Sequence, residues 1–563
     1  MENKEVAEIL YEIADLLEME DVEWKPRAYR RAARSVEALS EPIEEIDELG
    51  ELQQIDGVGE SIAEKISEYI ETGELEYYEE LKQRLPVDIE ALTAVEGLGP
   101  KTARKLYSEL DVKTLDDLEK AAEEGEIEKL EGFGEKTEQN ILGHIEAARE
   151  GQERILLGKA LPIARNIREK LEGSKNFNKV EIVGSFRRRR PTVGDIDILA
   201  TSPNYKEAMK EFTDMGDVKE VLNHGDTKSS VLIFGGLQMD IRIVEYESWG
   251  AALQYFTGSK DHNIALRNRA IAKGWKLNEY GLFEEEENLV KNAGEKEIYR
   301  KLKLDYIAPE LREHTGEVEA SEKGELPELV DLEDIRGDLQ VHTNYSDGNS
   351  SIESMADKAQ EKGYEYIMIT DHGPKLHVAG GPESREELEQ QREEIQSVNE
   401  EYDIEVLQSI EANITREGID VNEEMLELLD FIVVAMHDRI ENPTDRIIEV
   451  LDSHPVDILA HPLNRKINSR EPLDLDLERL VEKAAEEKVA LEINSQPDRL
   501  DLPWDLVKQH RDKLKFVVST DAHATGELDF IDIGVAQARR GWLEKKDVLN
   551  ARNLEELKNH FSG

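Results

Sequence analysis

Hydrophobic residues return every three to four positions through the first 150 residues, with few β-branched runs, a pattern that predicts helices. One motif recurs there three times: LQQIDGVGESIAEKI from Leu52, LTAVEGLGPKTARKL from Leu92 and IEKLEGFGEKTEQNI from Ile127. Each reads as helix, Gly-apolar-Gly, helix. From residue 151 the pattern turns mixed, and VEIVGSF, GDIDILA, SSVLIF and LQMDIRIV predict strands. Residues 246–315 hold a Tyr-Phe-Thr-Gly-Ser turn and a small α/β remainder. Between Glu313 and Asp334 the chain is rich in Glu, Gly and Pro without any period, which puts the main linker there. Seven short apolar runs follow, DLQVH, YIMITDH, VLQSIEA, FIVVAMH, DILAHP, ALEINS and FVVSTDAH, most separated by helical stretches. Such alternation implies a parallel sheet or barrel, whose reacting residues sit at the C-terminal strand ends.

At 563 residues several domains are expected. There is no 18-residue apolar run to span a membrane, and the opening MENKEVAEIL lacks a signal pattern, so the chain reads as cytoplasmic. With no cysteine, disulfides and thiolate metal sites are excluded, and any metal must use His, Asp, Glu or an amide. The net charge of -55 is unusual for a nucleic-acid binder, whose affinity comes largely from phosphate neutralisation. The acid is spread along the whole chain, while basic clusters survive at Arg27 to Arg34 and Arg187 to Arg190. A surface suited to concentrated salt, from a halophilic source, accounts for both.

In the repeats, Gly57/Gly59, Gly97/Gly99 and Gly132/Gly134 each join two short helices. Glycine lets backbone N–H groups approach a phosphate at a helix N-terminus. One copy would read better as a Gly-capped αα-hairpin; three with matched flanks favour a DNA-backbone grip, resembling the helix-hairpin-helix motif.

The segment VEIVGSFRRRRPTVGDIDIL carries the densest chemistry. Gly184-Ser185 ends a strand and can open a helix whose free N–H groups hold a triphosphate, with Arg187 and Arg188 as cationic donors. Gly194 precedes Asp195 and Asp197, which alternate with Ile196 and so share one face of a strand. Asp240 in LQMDIRIV could complete a three-carboxylate cradle on an adjacent strand. Oxygen ligands suit two Mg²⁺ (or Mn²⁺) ions serving nucleotidyl transfer. A bare Asp-x-Asp is common and often solvated; the Gly-Ser eleven residues before Asp195 and the Arg run tip the reading toward a site.

These residues resemble the palm of family X DNA polymerases, relatives of DNA polymerase beta, over about residues 1–315. Tyr255-Phe256-Thr257-Gly258-Ser259 is similar to that family's sugar-pocket turn. Asn263 and Arg267 match positions that touch the incoming base and the template, and LNEYGLF from Leu277 matches its closing strand. The arginine run followed by Pro191 departs from the family, leaving Arg189 and Arg190 open. WKPRAYRRAARS from Trp24 and GVGESIAEKI from Gly57 resemble the small domain that binds a gap's 5′-phosphate. There Lys25 and Tyr29 match companion positions, and Lys65 matches the Schiff-base lysine of relatives that cleave abasic sugar. Ser61 replaces another family lysine, and a lone lysine is as readily a solvated helix residue as a nucleophile, so both readings of Lys65 stand.

In the last third Gln340, His342, Asp347, Asp371-His372, Glu411, His437, His461 and Asp521-x-His523 fall at strand ends. A single histidine there is more often structural; five among seven strand ends point to Zn²⁺, Mn²⁺ or Fe²⁺. The pattern resembles the polymerase-and-histidinol-phosphatase (PHP) domain over 334–563, which implies a distorted (β/α)7 barrel holding two or three such metals. By that likeness His342, Glu411 and Asp521 bind one, Glu411 bridges to a second held by His437 and His461, and a third takes Asp347, His372 and His523. The usual opening is His-x-His; Gln340 replaces the first histidine, and its weaker amide leaves that position's occupancy open. The likeness further implies a 3′-5′ exonuclease or other phosphoesterase. Arg465 and Arg499 read equally as phosphate clamps or surface residues.

The expected organisation is multi-domain. Residues 1–84 form a small DNA-binding, lyase-like domain with the first hairpin, and 85–150 a helical domain with the other two. An α+β nucleotidyltransferase palm spans 151–245 and a thumb 246–315, followed by a linker at 316–333 and the PHP domain at 334–563. Expected partners are gapped or primer-template DNA and dNTPs, with no membrane, and the chain is expected to be a monomer. Three other readings were weighed: a PHP hydrolase with an inert palm, a non-catalytic repair scaffold, and a transferase acting on tRNA or small molecules. The last would need neither three hairpins nor the Tyr-Phe-Thr-Gly-Ser turn. From the acidic surface, activity should persist in molar KCl; an optimum at low salt with no activity in molar KCl would remove the halophile reading.

Overall fold

A computed structural model describes residues 3–561 apart from 21, 23, 38, 40–42, 56, 74, 94, 96–97, 131–132, 135–136, 139–140, 143–144, 146–153, 235, 285–286 and 375–379. The chain divides into two compact units, 1–154 with 209–240, and 155–208 with 241–563.

In the first unit the 3.6-residue pattern yields helices Asn3–Met19, Lys25–Glu37, Glu60–Thr72, Glu76–Arg84, Pro100–Leu110 and Leu115–Glu123, among shorter ones. Their apolar stripes, including Leu10, Ile13, Ala33, Val36, Ile66, Leu81, Leu92, Leu106 and Leu118, close one buried cluster. Gly59 and Gly99 are the N-caps of Glu60–Thr72 and Pro100–Leu110. Gly57 has φ +81, and a Cβ there would lie 2.7 Å from Arg31 Cγ, so both backbone and space demand glycine.

The palm sheet runs β1 (Lys179–Ile182), β2 (Asp195–Thr201), β3 (Val218–His224), β4 (Lys228–Ile233) and β5 (Gln238–Ile243) along the chain. In space the order is β1-β2-β5-β4-β3. All four expected strands are present. The added strand, β3, is a sheet edge and almost wholly exposed, so it lacks the apolar alternation that would mark it. The thumb contributes helices Trp249–Thr257, Lys260–Ile271 and Glu295–Lys301 and a hairpin of Lys276–Asn278 with Gly281–Glu284.

In the C-terminal third each of the seven apolar runs forms a strand: β6 (Gly337–Val341), β7 (Tyr366–Ile369), β8 and β9 (Glu405–Gln408 and Glu411–Thr415, one run broken in two), β10 (Val433–Ala435), β11 (Ile458–Leu459), β12 (Ala490–Asn494) and β13 (Phe516–Ser519). Adjacent strands among these pair in parallel. Rather than one closed ring, the pairing gives β6-β7-β8 and a second sheet ordered β9-β10-β11-β12-β13, with short strand Gly418–Ile419 at its β9 edge. Isolated parallel bridges, His372 with Glu411 and Val341 with Ala522, link the two sheets. The strands are buried on both faces: Phe516 and Val518 join one apolar cluster while Val517 joins another.

The expected linker is more ordered than its composition suggests. It contains helix Glu317–Lys323, and Val318, Leu326 and Leu329 pack in the same cluster as thumb Leu266 and Ile298 and as Trp542 of the C-terminal domain. Glu317 is fully buried because its carboxylate meets His262 Nδ1 at 2.6 Å and accepts the His314 and Thr315 N–H groups. A Glu-rich text hid a helix whose first glutamate points inward.

A second buried carboxylate locks the thumb. Glu295 accepts both arms of Arg187 at 2.8 and 2.9 Å, the Tyr306 hydroxyl at 2.9 Å, and Arg312, whose side chain is wholly buried. Burial alone would raise the Glu295 pKa, but the Arg312 charge and the Arg187 bonds outweigh it and hold it at about 2. Glu295→Gln should lower stability in chemical denaturation at neutral pH by about 3–5 kcal/mol, the cost of stripping one partner from a buried ion pair. A depressed carboxylate stabilises fully above its ordinary value of 4.5 and loses that contribution as pH falls toward about 2. Wild-type and variant stabilities should therefore converge across that window, and equal stability at neutral pH would refute the assignment.

Candidate active sites

The strand ends of the C-terminal domain bring the expected histidines and carboxylates together. His342 follows β6, His372 lies just past β7, Glu411 opens β9, His437 lies two residues past β10, His461 follows β11, and Asp521 and His523 follow β13. Glu411 is the hub. Its Oε2 lies 3.1 Å from His372 Nδ1 and 3.5 Å from His342 Nε2, while Oε1 lies 2.8 Å from His461 Nε2 and 3.4 Å from His437 Nε2. The two oxygens thus face different pairs of imidazoles. Asp521 is 3.1 Å from His342, and Asp347 is 3.6 Å from His372 and 3.3 Å from His523. Two groups could each close around a cation: His342, Asp347, His372 and His523, and His372, Glu411 and His437. His461 and Asp521 carry φ of +26° and +53°, the strained backbone that functional sites tolerate.

Divalent metals fit this donor set. Both ring nitrogens of His342, Nδ1 of His372 and of His461, and Oε2 of Glu411 are buried without a hydrogen-bond partner, which folded proteins rarely leave uncompensated. Burial would raise the Glu411 pKa, but His437, His372 and His461 hold it well below the usual range. Burial likewise opposes charge on His372, yet Glu411 and Asp347 push its pKa up to about 10. Bound cations would replace those protons.

Three side chains depart from expectation. The Gln340 amide is buried and meets Glu492, to which its nitrogen can donate at 3.1 Å, so the amide is spent on a carboxylate rather than offered to the imidazoles. Asp371 is a scaffold residue that accepts from Thr343, Ser346 and Gln391. Arg465 is mostly buried and donates to the Arg499 and Leu500 carbonyls, so it shapes the loop instead of clamping phosphate. Arg499 does face the cleft, 3.5 Å from Asp521. The cleft holds about 340 Å³ and is lined also by Lys466, Gln496 and Glu527. Glu492 and Asn494 were not singled out from sequence. Glu492 accepts the His461 N–H at 2.7 Å, and Asn494 donates to Glu492 and Asp521 at 3.2 and 3.0 Å. Their signal was a carboxylate and an amide two apart within an otherwise apolar strand, hence on one face.

In the palm, Asp195 and Asp197 are half-buried on one side of β2 while Ile196 is fully buried, as the alternation required. Gly184, at φ +59, lies so close that a Cβ would sit 2.1 Å from Asp197 Oδ2. Only glycine lets the Gly-Ser turn and that carboxylate meet. Ser185 follows in the short helix Gly184–Arg187, and Gly194 is exposed just before β2. Asp240 lies on β5 and accepts the Gln238 amide at 2.9 Å.

The two arginines expected to bind phosphate are otherwise engaged. Arg187 is committed to Glu295, and Arg188 donates to Glu313 at 3.1 Å and to the Thr257 carbonyl at 2.9 Å. Each found an anion in the thumb that its sequence neighbours could not reveal. Tyr255, Phe256 and Thr257 end a helix and Gly258-Ser259 begin the next, Ser259 Oγ capping it at the His262 N–H. Asn263 closes this turn by donating to the Tyr255 carbonyl at 2.7 Å. Arg267 stands one helical turn further on, half-buried.

In the first unit Gly59, Gly99 and Gly134 are exposed, with no atom within 4 Å of where a Cβ would point, so a backbone phosphate has room to approach. Gly97 and Gly132 lie outside the described residues. Lys65 is half-buried, donates to Ser61 Oγ at 3.2 Å and lies over Tyr77 at 4.9 Å. Tyr29 is buried and stacks on Tyr77, while Lys25 is exposed at a helix start.

Known families match this layout in order. A helix-hairpin-helix domain matches residues 1–75 and a SAM-like helix-hairpin-helix tandem 89–148. The DNA polymerase beta palm matches 160–242, the DNA polymerase beta thumb 252–313 and the PHP domain 338–549. DNA polymerase/3'-5' exonuclease PolX of Bacillus subtilis (strain 168) is 36% identical over 568 residues, covering 99% of both chains. DNA polymerase lambda of Rattus norvegicus is 24% identical over 55% of this chain and 56% of its own. A probable phosphatase of Acetivibrio thermocellus is 32% identical over 28% of this chain and 64% of its own. Identity along the whole length, with palm, thumb and PHP segments in the same succession, makes this chain a member of the PolX family of family X DNA polymerases.

Proposed function

We propose that this chain is a DNA-directed DNA polymerase that fills short gaps during repair, and that its PHP domain is a 3'-5' exonuclease trimming the same ends. The observation that carries the polymerase half is the contact of Gly184 with Asp197, which unites a nucleotide-holding turn with a carboxylate strand. We assign Asp195, Asp197 and Asp240 to two Mg²⁺ (or Mn²⁺) ions, and His342, Asp347, His372, Glu411, His437, His461, Asp521 and His523 to Zn²⁺, Mn²⁺ or Fe²⁺. Bound cations supply positive charge to phosphate oxygens and promote ionisation of the attacking hydroxyl or water. The protein's own groups do the rest. Gly184-Ser185 offers backbone N–H groups to the triphosphate, Tyr255 to Ser259 shapes the sugar pocket, and Arg499 faces the phosphodiester to be cut. The hairpin glycines hold the DNA backbone without reading sequence. Lys65 as an abasic-sugar nucleophile, and the chain as a monomer, belong to the same proposal.

A gapped duplex with dNTPs and Mg²⁺ or Mn²⁺ tests the assignment. Asp195→Ala/Asp197→Ala should lose extension by at least about 10³-fold, the several kcal/mol of a lost metal clamp, while keeping nucleolysis. His342→Ala/Glu411→Ala should do the reverse. One change that abolished both activities would refute two independent sites.

Because the Gln340 amide is spent on Glu492, we expect about two tightly held PHP metals per chain and a third upon Gln340→His, since imidazole outcompetes an amide. Elemental analysis of dialysed protein decides it, and equal metal content in both proteins would count against the proposed role of Gln340.

A further inference from the structure

Helix Ile531–Arg540 of the PHP domain begins eight residues after His523, on the rim of the hydrolytic cleft, and its charged side chains reach into the polymerase part. Asp532 accepts Arg165 at 2.8 Å and lies 3.5 Å from Arg189. Arg539 donates to Glu310 at 2.8 Å. The last residue, Arg540, has a side chain only 2% exposed. It donates to the backbone carbonyl of Arg188 at 2.7 Å and to Glu313 at 3.1 Å, and its guanidinium lies over Trp504 at 5.0 Å. Glu313 also accepts from Arg188, which donates onward to the Thr257 carbonyl. One thumb carboxylate therefore clasps an arginine from each domain.

The residue whose carbonyl Arg540 holds closes, through its own N–H, the turn that starts at Gly184. Arg188 N–H returns to the Gly184 carbonyl at 3.3 Å, and Gly184 lies against Asp197. The unusual arginine run is explained by the same contacts: Arg187 pairs within the thumb, Arg188 with Glu313, and Arg189 with the PHP helix.

We propose that Arg540 is a positioning residue for nucleotidyl transfer, fixing the Gly184–Arg188 turn from the hydrolase domain and so setting its fit to the incoming triphosphate. This rests on the polymerase reading above. The PHP domain is then a part of the polymerase site as well as a nuclease joined to it.

The test is steady-state gap filling by the full-length chain with dNTP titrated, and 3′-end hydrolysis measured on the same preparations. Arg540→Met should raise KM for dNTP by about tenfold or more, the worth of a charge-assisted hydrogen bond, with a smaller effect on kcat and none on hydrolysis. Arg540→Lys, which keeps a donor for the carbonyl, should recover much of the loss. An unchanged KM in folded Arg540→Met overturns the proposal, as does a joint fall of both activities that Arg540→Lys does not relieve. Should Arg540→Met fail to fold, the partly exposed Asp532→Asn replaces it; a smaller rise in KM is expected, and no rise overturns the idea. Failure of the wild-type chain to extend any primer would instead sink the polymerase reading itself.

Discussion

A carboxylate taken out of water needs compensating partners, and three glutamates with little exposure show how far that requirement shapes this structure. Glu295 finds Arg187 and Arg312, which fastens the palm turn to the thumb. Glu313 finds Arg188 and Arg540, which fastens the same turn to the PHP domain. Glu411 finds no guanidinium; imidazoles surround it, and unpartnered ring nitrogens remain. In the first two clusters two guanidiniums share one carboxylate, which fixes the elements they join. The third is open, which is what a metal site requires and what a merely structural ion pair avoids.

Buried ion pairs also bear on how the net charge of -55 is distributed. Several arginines are not on the surface at all: Arg312 and Arg540 are buried, and Arg187 and Arg188 nearly so. These four arginines meet two glutamates, Glu295 and Glu313, so their burial withdraws positive charge from the surface and leaves the exterior more acidic than the formal sum. In the proposed reading, contacts at the hairpin glycines run through backbone N–H groups, which need no side-chain cation.

What the sequence disclosed follows from which interactions are local. Asp195 and Asp197 share a face because strand side chains alternate, and the seven apolar runs became strands because length and flanking helices specify them. The histidine set was legible because each member sits at a strand end, a one-dimensional mark. Partnerships across the fold were not. Nothing near Arg187 announces Glu295, 108 positions on, and nothing near Arg188 announces Arg540, 352 positions on. The order in the linker segment was hidden for the same reason, because Glu317 owes its burial to His262, 55 positions earlier. Strand β3 escaped because an exposed edge carries no apolar alternation.

Gln340 is the most instructive case, because a motif comparison gives its identity and only the surroundings give its role. Glu492 is fully buried, and burial with Asp521 and Glu411 close by pushes its pKa well up. An amide suits such a neighbour in either protonation state, donating through nitrogen to the carboxylate or accepting through oxygen from the acid. An imidazole at this position offers the same choice only by changing tautomer, and in doing so redirects the nitrogen that a metal needs. Glutamine at position 340 therefore stands behind the proposed metal ligands, where it steadies Glu492, which in turn holds the His461 backbone. The cluster around Glu411 keeps its two-sided geometry beside it.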